Sequence, residues 1–173
     1  YVVFPHPIPR PRFVFDGTKS IEFLLVGRLE PYKGIEIFLE AAALLQKRRP
    51  ELFASCKFVL AGRGDIDVYE DYGLPKLPNF SVINEFLSAH ELHALIATSH
   101  FLVLPYTSGT ASGVGVLATS YSVPVRVSNV GDLPDLVQYN EKSLLLSENN
   151  PESLFSAFVT KSEELFEFQT QLT

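Results

Sequence analysis

The chain has 173 residues, of which 46% are hydrophobic and 20% are charged, a composition typical of one globular domain with a substantial core. Its formal net charge of −6 argues against a nucleic-acid partner, since phosphate contacts need clustered Lys and Arg. Cys56 is the only cysteine, which excludes an intramolecular disulfide and favours a reducing, cytoplasmic compartment.

The first part of the chain predicts a connector, a strand and a helix. Residues 1–20 are rich in proline and predict a stiff connector that enters from an N-terminal domain, whereas 21–173 predict the globular domain. The apolar run over 21–26 predicts a buried strand. Apolar residues at helical spacing then predict an amphipathic helix over 34–48, which Pro50 ends. These positions are Ile35, Phe38, Leu39, Ala42 and Leu45.

The rest of the chain alternates between predicted strands and helices. Residues 57–61 predict the second strand, and the stretch 65–79, with its prolines and glycine, predicts an irregular segment. Ser88 and Glu91 form a capping box that begins a helix ending near residue 98. The further predicted elements are strands at 81–84, 101–104, 125–128 and 144–146, a helix at 112–121 and a last helix from Pro151.

This alternation predicts the fold class. Continuous apolar runs are typical of parallel strands that are buried on both faces. We therefore expect a doubly wound α/β fold, with a mainly parallel six-stranded sheet flanked by helices in a Rossmann-like arrangement. In such a sheet, ligands bind at the carboxyl ends of the strands, so the loops that follow the strands are the candidate sites.

Two cations stand in the loop that follows the first strand. Arg28 follows that strand directly, and Lys33 lies just before the next helix. A fork-shaped guanidinium and a point-charge ammonium together neutralise a diphosphate well. The alternative is a pair of solvated surface cations with Glu30 as a partner. The position at the edge of the sheet favours a binding site.

A Gly-rich helix start follows the fourth strand. Residues 112–115 read Ser-Gly-Val-Gly and open a helix, whose first backbone N–H groups can meet phosphate oxygens. Hydroxyl donors stand beside them at Thr107, Ser108 and Thr110. The alternative is a helix that starts in a tight space and uses glycine for packing. Together the two loops predict a substrate with a diphosphate group, as in nucleotide-sugar chemistry.

Two other groups of residues predict no site of their own. Residues 62–65 read Gly-Arg-Gly-Asp and predict a turn between strand and helix, because they follow a predicted strand. They also lack the spacing of a dinucleotide fingerprint, which argues against a dehydrogenase. His90 and His93 share one helix face, but no third ligand accompanies them. The sequence therefore predicts neither a dinucleotide cofactor nor a metal ion.

The order and spacing of these segments resemble the C-terminal donor-binding domain of a GT-B retaining glycosyltransferase, from the large family of bacterial mannosyl- and glucosyltransferases. The resemblance covers nearly the whole chain. The matching segments are 26–29 with 33–34, 59–62, 86–88 with 91–92, 104–105, 124–125 and 129–135.

This resemblance implies a donor site for a nucleoside-diphosphate sugar. Arg28 and Lys33 would hold the donor diphosphate and stabilise it as it leaves, without a metal or cofactor. The loop at 85–87 would lie near the nucleobase. The donor-binding residues that follow from this comparison are Gly27, Glu85, Phe86, Gly109, Thr110, Ser112, Gly113 and Val114.

The chain departs from the family at one important place. The family usually carries two glutamates eight residues apart, which contact the transferred sugar and the ribose. In this chain they fall at Gly109 and Leu117. Contacts with the sugar would then come from backbone amides and hydroxyls over 109–114.

The resemblance also implies partners and leaves two alternatives. The expected partners are a nucleotide sugar and an N-terminal acceptor domain of the same full-length chain, upstream of Tyr1. Any peripheral contact with a membrane would be made through that domain. The first alternative is a nucleotide-sugar epimerase of the same architecture. The second is a non-catalytic domain that binds a nucleotide or a partner protein, which the missing glutamates favour.

Overall fold

The computed structural model of the chain describes residues 20–72 and 77–170, with 161–170 as backbone only. The connector predicted at 1–20 therefore lies, except for its last residue, outside the described residues.

The core of the fold is a sheet to which the described part of the chain contributes six strands. Their order across the sheet is β3-β2-β1-β4-β5-β6, and every pair of neighbours is parallel. This confirms the predicted doubly wound α/β fold, which is fully rather than mainly parallel over these strands. The strands are β1 (Ile21–Val26), β2 (Cys56–Ala61), β3 (Phe80–Ile83), β4 (Phe101–Leu104), β5 (Val125–Val127) and β6 (Leu144–Leu145).

Helices connect the strands and cover both faces of the sheet. The α-helices are α1 (Ile35–Arg48), α2 (Pro50–Phe53), α3 (Ala89–Thr98), α4 (Gly113–Ser120) and α5 (Pro151–Thr170). Within the described residues, 3-10 helices lie at Pro31–Lys33, Asp67–Tyr72 and Leu133–Tyr139.

Most predicted elements agree with these bounds to within one or two residues. The capping box is confirmed, because the Ser88 hydroxyl accepts from the Glu91 amide while the Glu91 carboxylate accepts from the Ser88 amide. The segment 65–79, predicted to be irregular, contains the 3-10 helix Asp67–Tyr72, and Leu133–Tyr139 was not predicted at all. Turns this short carry no hydrophobic periodicity that a sequence pattern could reveal.

Alternate residues of each strand pack against opposite faces of the sheet, which gives the domain two cores. We call the first the aromatic face, because the Phe23 ring stacks between those of Phe58 and Phe101 at centroid distances of 5.5 and 5.3 Å. Cys56 is buried in this core. We call the second the site face; it consists mainly of aliphatic residues, together with Tyr106 and Tyr121.

The sheet order places the loops after β1 and β4 side by side. Chain order reverses between these two strands, and ligands of doubly wound sheets bind at such a reversal. The Thr107 amide donates to the Tyr32 carbonyl at 2.8 Å, which ties the two loops together. Gly34 has a φ of +66°, and a Cβ at this position would collide with the Pro105 carbonyl oxygen. The two loops therefore touch backbone to backbone, and only glycine fits between them.

Candidate functional site

The first predicted cation, Arg28, lies at the surface. Its side chain is 79% exposed and pairs with the Glu30 carboxylate, with Nη1 and Oε1 3.0 Å apart. An exposed ion pair of this kind opens at little cost, so the guanidinium can exchange Glu30 for another anion.

The second predicted cation, Lys33, is buried. Only 6% of the residue is exposed, its Nζ donates to Tyr106 Oη at 2.6 Å, and it lies 4.5 Å from the centre of the Tyr106 ring. Burial lowers the pKa of the Lys33 ammonium, and the nearby positive charge of Arg28 lowers it further. The Tyr32 phenol and the Glu30 carboxylate have the opposite effect on this pKa, but burial outweighs them. The interpretation as two solvated cations therefore describes Arg28 but is wrong for Lys33.

The helix start after β4 meets Lys33 through Tyr106. Ser112 is the N-cap of α4, and its Oγ accepts from the Gly115 amide at 3.2 Å. The same Oγ lies 3.1 Å from Tyr106 Oη, inside the protein. A Cβ at Gly113 would meet nothing within 4 Å, so a ligand can approach the backbone of the first turn closely. Val114, also predicted to bind the donor, lies in this first turn.

The segment 109–110 is held in place by the loop after β5. The Asp132 amide donates to the Thr110 carbonyl at 2.7 Å, and a Cβ at Gly131 would collide with that oxygen. Gly109 has a φ of +132°, a conformation that side chains rarely adopt. Leu117, the second position of the missing glutamates, packs against the core of the site face. The backbone of Gly109 therefore disfavours a side chain at the first position, whereas Leu117 uses its side chain for packing at the second.

A pocket of about 700 Å³ opens beside the loop after β1. Three of the predicted site residues line it, namely Gly27, Arg28 and Phe86. Phe86 stands at its rim with 79% of its surface exposed. Glu85 is exposed as well, but it is not among the lining residues. The other lining residues are Leu29, Glu30, Pro31, Gly62, Arg63, Gly64, Asp65, Leu87 and Leu92.

Two parts of this region were missed by the sequence analysis. The first is the turn 62–65, which lines the pocket and bridges to the loop after β1 through Leu29 and Gly64. Its position directly after a strand was the signal that could have revealed it. The second is Tyr106, which joins Lys33 to Ser112. Burial raises the pKa of Tyr106 and the hydrogen bond with Ser112 opposes this, so the phenol stays protonated at neutral pH.

The described residues contain neither a cluster of metal-ligating side chains nor a helix suited to a membrane. Among the residues that the structure describes, no group of three or more His, Cys, Asp or Glu side chains could hold a metal ion. His93 instead bonds through Nδ1 to Tyr121 Oη at 2.7 Å. No helix within 20–72 or 77–170 is long and apolar enough to cross a membrane.

The sheet order and the reversal between β1 and β4 define a Rossmann-like α/β domain, and proteins of this class bind their ligands at the carboxyl edge of the sheet. The family can be stated as well. A family model described as Glycosyl transferases group 1 matches residues 20–163, and the chain belongs to this family.

Relatives of known name are glycosyltransferases of bacteria and archaea. A D-inositol 3-phosphate glycosyltransferase of Paenarthrobacter aurescens is 27% identical over 137 residues, which cover 76% of this chain and 33% of that protein. An uncharacterized glycosyltransferase of Methanocaldococcus jannaschii is 31% identical over 144 residues, which cover 82% of this chain and 35% of that protein. The chain thus spans about a third of the length of these relatives.

Solved structures confirm the fold. WaaG, a glycosyltransferase involved in lipopolysaccharide biosynthesis, superposes with a TM-score of 0.66 at 18% identity, over 86% of this chain and 42% of that one. The C-terminal domain of the group 1 glycosyl transferase LpcC from Francisella tularensis superposes with a TM-score of 0.65 at 17% identity, over 84% of this chain and 77% of that one. The predicted resemblance to a GT-B C-terminal domain is confirmed by these comparisons.

Proposed function

We propose that the chain is the donor-binding domain of a glycosyltransferase that moves a sugar from a nucleoside-diphosphate sugar to an acceptor. The observation that carries this proposal is the placement of two different cations at one edge of the sheet. Arg28 lines an open pocket, whereas Lys33 is buried against the start of α4. Family membership supports the same conclusion.

The two cations would act on the leaving group. In the transfer, the bond between the anomeric carbon and the diphosphate oxygen breaks, and its electron pair leaves on the diphosphate. The acceptor oxygen bonds to that carbon and releases its proton. Fixed positive charges at the diphosphate stabilise the negative charge that develops there. At equal distance, the Lys33 ammonium would stabilise the charge on the diphosphate more strongly than the Arg28 guanidinium, because Lys33 is shielded from water.

The pocket would hold the nucleoside. The exposed Phe86 ring offers a surface on which a base can stack, and Leu87 and Leu92 provide apolar wall. Glu85 stands next to this ring and remains a candidate for the same ligand. Gly27 leaves the backbone of the loop accessible beside Lys33, since a Cβ there would lie 3.1 Å from Nζ.

The sugar would be held by backbone and hydroxyl groups rather than by carboxylates. Gly109 supplies no side chain, so the contacts fall to Thr110, Ser112 and the first-turn amides of Gly113 and Val114. We therefore expect a nucleoside diphosphate and its sugar conjugate to bind with similar affinity, both with strong sensitivity to salt. A single nucleotide sugar that binds far more tightly than its parent diphosphate would contradict this assignment of the sugar contacts.

Calorimetry with UDP, GDP and ADP tests the site. Arg28→Ala and Lys33→Ala should each weaken binding by about 1.5–3 kcal/mol, the usual value of a charge-assisted contact. Arg49→Ala is the matched control, because Arg49 also pairs with a glutamate two residues further on, again at 3.0 Å. We propose that no divalent metal is needed, so affinity should be the same with EDTA and with Mg²⁺. Unchanged affinity in both site variants would overturn the proposal.

The rest of the proposal concerns the whole protein. The acceptor would bind in an N-terminal domain of the same full-length chain, a view supported by relatives of which the matched segment covers only about a third. Any membrane contact would be peripheral and made through that domain, and the single cysteine supports a cytoplasmic setting.

A specific observation favours one alternative, a domain that is not catalytic. Gly109 and Leu117 replace the usual glutamates, which would suit a domain that binds nucleotide without catalysing transfer. Release of nucleoside diphosphate by the full-length protein, in the presence of an acceptor, separates the two. The relatives quoted above are named glycosyltransferases, and no observation favours the epimerase.

A further inference from the structure

Tyr106 is the point at which several loops of the sheet edge meet. Its ring is buried, and its edge packs against the Tyr32 ring at a centroid distance of 5.5 Å. Its backbone carbonyl accepts from Ser128 Oγ at 2.7 Å and from Asn149 Nδ2 at 2.8 Å. The loops after β1, β4, β5 and β6 are therefore all in contact with this one residue.

The side chain of Tyr106 lies inside a chain of hydrogen bonds that ends at α4. Lys33 Nζ and Ser112 Oγ flank its hydroxyl at 2.6 and 3.1 Å. The protonated Lys33 can only donate, so Tyr106 Oη accepts from it and directs its own proton to Ser112. Ser112 Oγ accepts in addition from the Gly115 amide. The hydroxyl proton of Ser112 is then available to a further acceptor, such as a phosphate oxygen of a ligand.

The burial of these three residues makes the arrangement specific. Lys33, Tyr106 and Ser112 are each less than a tenth exposed. Unlike the ion pair of Arg28, whose partner Glu30 is two residues away, the bond of Lys33 crosses 73 residues of sequence. A long side chain that was free to rotate would lose entropy on meeting a ligand, whereas Lys33 is already held.

We infer that Tyr106 is a positioning residue of the donor site: its hydroxyl holds the Lys33 ammonium and the Ser112 hydroxyl in the one arrangement that meets a diphosphate. The inference rests on the proposed function and adds a residue that neither the sequence motifs nor the pocket lining includes.

The test compares two tyrosines of the site face by calorimetry with UDP, GDP and ADP. Tyr106→Phe keeps the buried ring and removes only the hydroxyl, and we expect it to weaken binding of the preferred diphosphate roughly tenfold. Tyr121→Phe is the matched control, since its hydroxyl also bonds a side chain, His93, and its ring belongs to the same core. The control should stay within about twofold of the unmodified chain.

A double-mutant cycle shows whether Tyr106 acts through Lys33. If it does, Tyr106→Phe should weaken binding much less when Lys33→Ala is already present. A loss of the same size in both backgrounds would overturn the inference. Ser112→Ala provides a second variant of the same hydrogen-bond chain, and it should also weaken binding.

The pH dependence of binding separates positioning from mere structural support. The groups that face Lys33 are Tyr106, together with Tyr32, Glu30 and Arg28 of its own loop. Tyr106 Oη accepts a hydrogen bond from the Lys33 ammonium, so we expect the loss of this hydroxyl to move the decrease in affinity at alkaline pH to lower pH. Tyr121→Phe should not change the pH at which the affinity decreases.

Three outcomes are distinguishable. Weaker binding, with the decrease at alkaline pH moved to lower pH, supports the inference. A Tyr106→Phe protein that is less stable in urea, but binds with unchanged affinity and pH profile, overturns it and leaves the proposed function intact. Absence of nucleoside-diphosphate binding by the unmodified chain refutes the proposed function itself.

Discussion

The two faces of the sheet are built from different side chains. The aromatic face combines buried phenylalanine rings, which carry no polar atoms that need partners, with aliphatic side chains. The site face is aliphatic except for tyrosines, whose hydroxyls bond Lys33 and His93. Tyr69 also lies on the aromatic face, as does Arg126 of β5, whose guanidinium lies 4.1 Å from the centre of the Phe101 ring. We therefore expect the aromatic face to determine mainly stability and the site face to determine nucleotide binding, so that the two properties can be changed separately.

The largest effect should come from the aromatic face. Phe58 is fully buried and its ring lies between those of Phe23 and Phe53, at centroid distances of 5.5 and 5.7 Å. Phe58→Ala should lower the free energy of unfolding by about 3–5 kcal/mol, because it removes this packing and leaves a cavity. Urea denaturation measures the loss. Phe58→Leu is the control and should lose less.

The same variant also tests whether the faces are separate. Phe58→Ala that remains folded should bind a nucleoside diphosphate as the unmodified chain does. A large fall in affinity without unfolding would show that the aromatic face also shapes the site.

A smaller effect on stability is expected where the two site loops touch. Gly34→Ala should lower the free energy of unfolding by at least about 2 kcal/mol, since the left-handed backbone and the Pro105 carbonyl both exclude a Cβ. Gly113→Ala is the matched control in the same region: open space surrounds that position, so stability should change by less than about 1 kcal/mol. Equal losses in the two variants would contradict this account of the loop contact.

Local sequence patterns determine part of the fold and part of the candidate site. The strands β1 and β4, the start of α3 and the carboxyl-edge position of Arg28 follow from local patterns of apolar, capping and turn residues. The burial of Lys33 depends on a partner 73 residues away, which no local pattern encodes. Sequence reasoning therefore placed both cations at the right edge but treated them alike, although one is exposed and the other enclosed.

The smallest effects should come from two serine N-caps on the site-face helices. Ser88 begins α3 at the surface, and Ser112 begins α4 beside Tyr106. Each Ser→Ala change should lower the free energy of unfolding by about 1 kcal/mol, the usual value of a cap. Only Ser112→Ala should also weaken nucleoside-diphosphate binding. Matching losses of affinity in both variants would show that cap stability, rather than the Ser112 hydroxyl, supports the site.

Cys56 gives the domain a reporter of its own opening. It is 2% exposed and opposes Ile21 where β1 and β2 begin, at the edge of the sheet remote from the site. A thiol there meets a labelling reagent only when the protein opens, so the labelling rate in native buffer measures the free energy of that opening. If labelling requires the whole sheet to unfold, a saturating ligand should slow it by the factor by which ligand binding stabilises the folded state. If only this edge of the sheet frays, the ligand should leave the labelling rate unchanged. One cysteine thereby distinguishes global unfolding from local fraying without denaturant.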